Sequence, residues 1–97
     1  MTSDLQKYDV ANHLRTPEEM AAYLDAAIEK SNGDASFIAM ALGDIARAKG
    51  MAELSRETGL GRESLYKALS AEGNPQLSTV LKVAKALKLQ LHVKPLG

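Results

Sequence analysis

The chain has 97 residues, enough for one domain around a single apolar core. It has no cysteine, which excludes disulfides and thiolate metal sites, and no Trp and one Phe among many aliphatic residues, which favours a helical bundle over a sheet sandwich. The net charge of zero is unevenly divided: residues 1–45 hold three Lys/Arg against eight Asp/Glu, net −5, and residues 46–97 hold nine against four, net +5, so the second half can meet phosphates while the first meets something else.

No apolar run reaches the roughly 20 residues of a bilayer span. The opening MTSDLQKYDV lacks the basic start and apolar stretch of a signal peptide, so a cytoplasmic protein is expected. Up to Arg15 there is no helical period; Tyr8, Val10 and Leu14 suggest a short extended segment. A strong helix start follows, with Thr16 as N-cap, Pro17 at the first helical position and Glu19 reaching back as capping-box partner. Met20, Leu24, Ala27 and Ile28 mark its expected buried stripe, and Ser31-Asn32-Gly33 ends it. Asp34 caps the next helix, with Ile38, Ala41, Leu42 and Ile45 inward and Gly50 as its stop.

Residues 54–69, LSRETGLGRESLYKAL, have the spacing of a helix-turn-helix. A first helix is expected over about Met51–Thr58, with only Gly50 to cap it. Gly59 makes the tight turn, and Leu60 plugs the gap between the helices. A second helix, capped by Gly61, is expected from Arg62 to about Ser70; Leu65 and Leu69 anchor it and turn Glu63, Tyr66, Lys67 and Ser70 outward. Gly73-Asn74-Pro75 is a turn, and a last helix covers roughly 77–88, with Leu77, Leu81, Ala84 and Leu87 expected inside and Lys82 and Lys85 outside. Leu89-Gln90-Leu91-His92-Val93 then alternates as a strand does, up to Pro95. A lone strand needs a partner: the segment around Tyr8–Val10, or the same strand of a second subunit.

The organisation expected is therefore mostly α: one compact unit of about five helices with a short C-terminal strand. Residues 1–33 form an extended segment plus a capped helix, and residues 34–97 a DNA-binding domain.

Arg62, Glu63, Tyr66 and Lys67 are the candidate base-readers. Arg62 suits guanine O6 and N7 or a phosphate, Glu63 can accept from a cytosine amine, Tyr66 suits a phosphate or a thymine methyl, and Lys67 adds charge. The competing reading is a solvated face on which Glu63 and Lys67 form an ordinary ion pair worth a few tenths of a kcal/mol. Ser64, Asn74, Ser78 and Thr79 are candidates for positioning the DNA backbone, with local capping as the alternative for the last three. One such helix reads few base pairs, so a homodimer on a palindromic site is expected. Glu18, Glu19, Asp25 and Glu29 are candidates for contact with a basic protein partner, or simply a solvated face. His13 and His92 lack a metal-binding context, and GLGRES lacks the Lys and spacing of a phosphate loop, so neither a metal, a cofactor nor an enzyme is expected.

Residues 34–88 resemble the Cro/C1-type (lambda-repressor-like) helix-turn-helix domains. Over nearly its whole length the chain resembles the HigA-like addiction module antidote family, through YDVANHLRTPEEMAAYL (8–24), ALGDIARAKGM (41–51) and GLGRESLYKALSAEGNPQLSTVLKVAKAL (59–87). It departs from the pattern at two places. Gly61 stands where a Ser often opens the recognition helix, and Lys88 where a Gly often ends the last one, so Lys88 must either turn left-handed or end the helix differently. The resemblance implies an antitoxin that binds and blocks a small RelE/ParE-type toxin and represses its own operon by binding double-stranded operator DNA. The alternatives are a stand-alone or prophage-type repressor without a toxin, and a protein-binding module whose helix-turn-helix no longer touches DNA.

Overall fold

Local chemistry sets where each helix begins and ends. In the computed structural model, which describes residues 14–96, five helices follow one another: α1 (Pro17–Ser31), α2 (Ala35–Lys49), α3 (Met51–Thr58), α4 (Arg62–Ala68) and α5 (Leu77–Ala86). The expected extended segment around Tyr8–Val10, and His13, lie outside the described residues.

At the start of α1, Thr16 Oγ1 accepts the Glu19 N–H at 3.1 Å, while Glu19 Oε1 accepts the N–H groups of Thr16 (3.2 Å) and Arg15 (2.8 Å). The helix ends on Asn32 at φ 53, a left-handed conformation that asparagine tolerates. Asp34 caps α2 by accepting from the Ser36 N–H at 2.9 Å. Gly50, at φ 115, joins α2 to α3 without a spacer: its N–H donates to Ala46 and its carbonyl accepts from Leu54.

α1 packs along α2, and α3 touches α2, α4 and α5. The core between them holds Met20, Leu24, Leu42, Ile45, Leu54, Leu65, Leu69, Val83 and Leu87, and Leu14, just before α1, belongs to the same cluster. The radius of gyration, 13.1 Å, matches the roughly 13 Å of a compact domain of about 100 residues. No buried side-chain nitrogen or oxygen lacks a partner among the described residues.

Three expectations need correction. Ile28, placed in the buried stripe of α1, is 43% exposed. It lies at the far edge of the face defined by Met20, Leu24, Ala27 and Ser31. In α5 the inward face is Val80, Val83, Ala84 and Leu87, leaving Leu77 (69%) and Leu81 (48%) exposed. Two apolar stripes run side by side on this helix, and contact with α3 selects one. Finally, there is no strand among the described residues; Leu89 packs on the core, but Leu91 and Val93 are exposed. A β-ladder needs a second strand to take its N–H and C=O groups, and no described segment supplies one.

α5 closes with paired reversed hydrogen bonds, Lys88 N–H to the Lys85 carbonyl (3.0 Å) and Leu89 N–H to the Ala84 carbonyl (2.8 Å). This is a Schellman arrangement, and it puts Lys88 at φ 66 where glycine is usual.

Candidate nucleic-acid interface

The candidate site is built on the turn between α3 and α4. Gly59 takes φ 77, a left-handed conformation, and its N–H donates to the Ser55 carbonyl at 2.9 Å. Two hydroxyls then hold the turn in shape. Ser55 Oγ donates to the Leu60 carbonyl at 2.5 Å. Thr58 Oγ1 donates to the Leu54 carbonyl at 2.8 Å and accepts the Leu60 N–H at 3.2 Å. Leu60 packs, partly buried, against the core. Sequence reading identified Gly59 and Leu60 but not these hydroxyls, although a Ser and a Thr three residues apart just before a helix-ending glycine are a readable signal.

The turn delivers α4 with Leu65 and the following Leu69 each only 1% exposed. Gly43 of α2 seats its far end: a Cβ there would run into the Leu69 carbonyl. Gly73 is equally bare, with the carbonyls of Lys67 and Ala68 where its side chain would stand, so the chain doubles back tightly over the end of α4. The helix ends at Ala68, short of the expected Ser70, whose hydroxyl instead donates to the Lys67 carbonyl.

With one face fixed, Arg62, Glu63, Ser64, Tyr66 (50%) and Lys67 stand exposed on the other. Among the described residues none of these five side chains makes a hydrogen bond or ion pair, and the Glu63–Lys67 pair of the solvated-face reading does not form. Gly61 provides no side-chain cap, so the first N–H groups of α4 are left for solvent or an anion. Asn74 is exposed and Thr79 half-buried. The N-cap of α5 is Gln76, again without a side-chain bond, so neither Ser78 nor Thr79 caps that helix.

Ion pairs tie up few of the basic residues of the second half. Arg47 pairs with Asp44 at 2.9 Å, and Lys49 lies 3.8 and 3.9 Å from Glu53 and Glu57. Arg56, Arg62, Lys67, Lys82 and Lys85 are all exposed and have no ion-pair partner among the described residues. Arg56, in the last turn of α3, is a cation that sequence reading passed over.

On α1, Glu18, Asp25 and Glu29 are exposed, while Glu19 is committed to the capping box. Tyr23 bridges α1 to α2, its hydroxyl donating to Asp44 Oδ2 at 2.6 Å. Burial, reinforced by the hydrogen bond to and negative charge of Asp44, pushes the Tyr23 hydroxyl up to about 12 against a weaker opposing pull from Arg47. A cleft of about 380 Å3, lined by Leu14, Pro17, Met20, Lys49, Glu53 and Leu87 among others, includes no residue of the α4 stripe. No helix among the described residues is long and apolar enough to cross a membrane.

Residues 4–95 match the family model described as "Probable addiction module antidote protein". The chain belongs to this antidote family. A relative from Haemophilus influenzae described as "Uncharacterized protein" is 49% identical over 94 residues, covering 97% of this chain and 95% of the relative. No solved structure matches. Membership in an antidote family supports an antitoxin role and implies a toxin partner. In an antidote, exposed surface has this partner to serve as well as any DNA.

Proposed function

We propose that this antidote is the antitoxin of a type II toxin–antitoxin module, that it neutralises a RelE/ParE-like toxin by binding it, and that it represses its own operon as a homodimer on operator DNA. It works by binding and catalyses no reaction. One observation carries the DNA reading: Arg62 and Lys67 stand exposed and unpaired on a helix whose opposite face is locked by Leu65 and Leu69. A rigid helix with a free, mixed-charge stripe suits the major groove, where exposed cations also gain from displacing counterions.

In this reading Arg62 and Glu63 read base edges, Tyr66 and Lys67 contact bases or phosphate, and Ser64, Asn74 and Thr79 hold the backbone. Glu18, Asp25 and Glu29 face a basic toxin. The left-handed Gly59 and the partly buried Leu60 that packs on the core support reading this unit as a helix-turn-helix of the Cro/C1 type.

The test is a titration of the purified protein onto the DNA upstream of its gene at two salt concentrations, alongside co-purification with the product of the neighbouring gene. Tight binding that weakens with salt, and a stable complex with a basic neighbour, are expected. Equal affinity for unrelated DNA removes the repressor reading; a neighbour that never co-purifies removes the toxin reading.

A further inference from the structure

We infer that the Asn32–Gly33 peptide, in the turn between α1 and α2, is a site of spontaneous covalent modification, where Asn32 deamidates in the folded protein at a rate restrained by the Ser31 hydroxyl.

The chemistry needs an asparagine amide, a following backbone nitrogen able to reach it, and room to close a ring. All three meet here. Asn32 is exposed, and its side-chain amide makes no hydrogen bond among the described residues. Gly33 is exposed at φ 89, and nothing lies within 4 Å of the place a Cβ would occupy. No side chain on Gly33, and no neighbour at its Cβ position, crowds the approach of the Gly33 nitrogen to the amide. One bond restrains the nucleophile: the Gly33 N–H donates to Ser31 Oγ at 3.2 Å. That hydroxyl is itself anchored, donating to the Ile28 carbonyl at 2.8 Å in a residue only 8% exposed.

In the reaction, solvent base takes the Gly33 N–H proton and the nitrogen attacks Asn32 Cγ. The new N–Cγ bond forms as Cγ–Nδ2 breaks, and Nδ2 leaves as ammonia with a proton from solvent. Water then opens the resulting succinimide at either carbonyl, giving aspartate or isoaspartate. No electrons are exchanged, and water is the only co-reactant.

The product alters the hairpin on which the rest of the fold leans. Aspartate puts a negative charge at the C-terminal end of α1, the unfavourable end of the helix dipole. Isoaspartate adds a methylene to the main chain and displaces the Gly33 N–H from Ser31 Oγ and the Asp34 N–H from the Ser31 carbonyl, a bond now 3.0 Å long.

The sequence contains its own control. Asn74 is also exposed, but the next residue is Pro75, whose nitrogen carries no proton to lose, so this route is closed to it. The experiment incubates the native full-length protein at neutral and at alkaline pH, with circular dichroism confirming the fold, and follows each asparagine by peptide mass mapping. Expected is loss of the Asn32 amide as a mixture of aspartate and isoaspartate, faster at alkaline pH, with Asn74 intact. Ser31→Ala should accelerate the loss, and Asn32→Gly, which suits the left-handed turn, should abolish it. An Asn32 that survives in the native chain but converts in urea overturns the proposal, because the folded turn then protects it. A Ser31→Ala variant that folds but converts no faster overturns the role of the hydroxyl.

Discussion

The α-carbon of Gly43 on α2 faces the backbone carbonyl of Leu69, so closely that no side chain fits between them. The end of the candidate recognition helix thus rests on bare backbone. Gly43→Ala inserts a methyl group against a carbonyl that cannot swing aside, and overpacking of this kind costs about 1–3 kcal/mol. Urea unfolding of the variant should give a lower midpoint at an unchanged slope. Stability equal to the parent's shows that α4 is not seated there.

Lys88 holds a left-handed conformation, φ 66, at the end of α5. A side chain in this region costs about 1–2 kcal/mol, while glycine's extra freedom in the unfolded chain offsets part of any gain. Lys88→Gly is therefore expected to stabilise the protein by about 0.5–1 kcal/mol, with both Schellman hydrogen bonds intact. Thermal unfolding checks this, and a lower melting temperature contradicts the assignment of Lys88 to the cap.

Tyr23 titrates late. Its hydroxyl ionises near 12 in the folded protein against 10 in the unfolded chain, so the folded state favours the protonated form. The stabilisation is complete below pH 10 and is lost as pH rises from 10 through about 12. An ultraviolet absorbance titration should show one tyrosine ionising about two units late, and Tyr23→Phe should remove it and flatten the stability profile above pH 10. Asp44→Asn should bring the transition down toward the ordinary value.

At the candidate interface, Arg62→Ala and Lys67→Ala should leave stability within about 0.5 kcal/mol, since both side chains are exposed and unpaired. Operator affinity should fall unequally. Arg62, if it reads a guanine, is worth about 1–3 kcal/mol and relaxes specificity at that base, whereas a phosphate-bound Lys67 weakens all sequences alike and lowers the salt slope by about 1. Electrophoretic mobility shifts on the operator and on point-substituted operators separate the two, and a double variant binding like the parent rules α4 out as the reading helix.

Much of this architecture was legible in the sequence because it is locally encoded. The Thr16–Glu19 capping box, the Asp34 cap and the glycines at 50 and 59 each act within about a turn of helix, so neighbouring residues reveal them. The anchoring leucines were equally plain, since Leu54, Leu65 and Leu69 are all buried as their spacing led one to expect. Less legible were the Tyr23–Asp44 bridge, which joins residues on two different helices, and the seat of Leu69 on Gly43. Both depend on how helices approach each other, and a glycine inside a helix does not announce what lies opposite it.

The residues alone determined where helices begin and turn, and which side of α4 must be anchored, because capping and periodicity are short-range properties of the chain. Only the tertiary structure decided which of two apolar stripes on α5 faces inward, that Ile28 stays outside, and that residues 89–93 lack a strand partner among the described residues. Those outcomes depend on what stands opposite each surface, and periodicity says that a face is apolar without saying what will cover it.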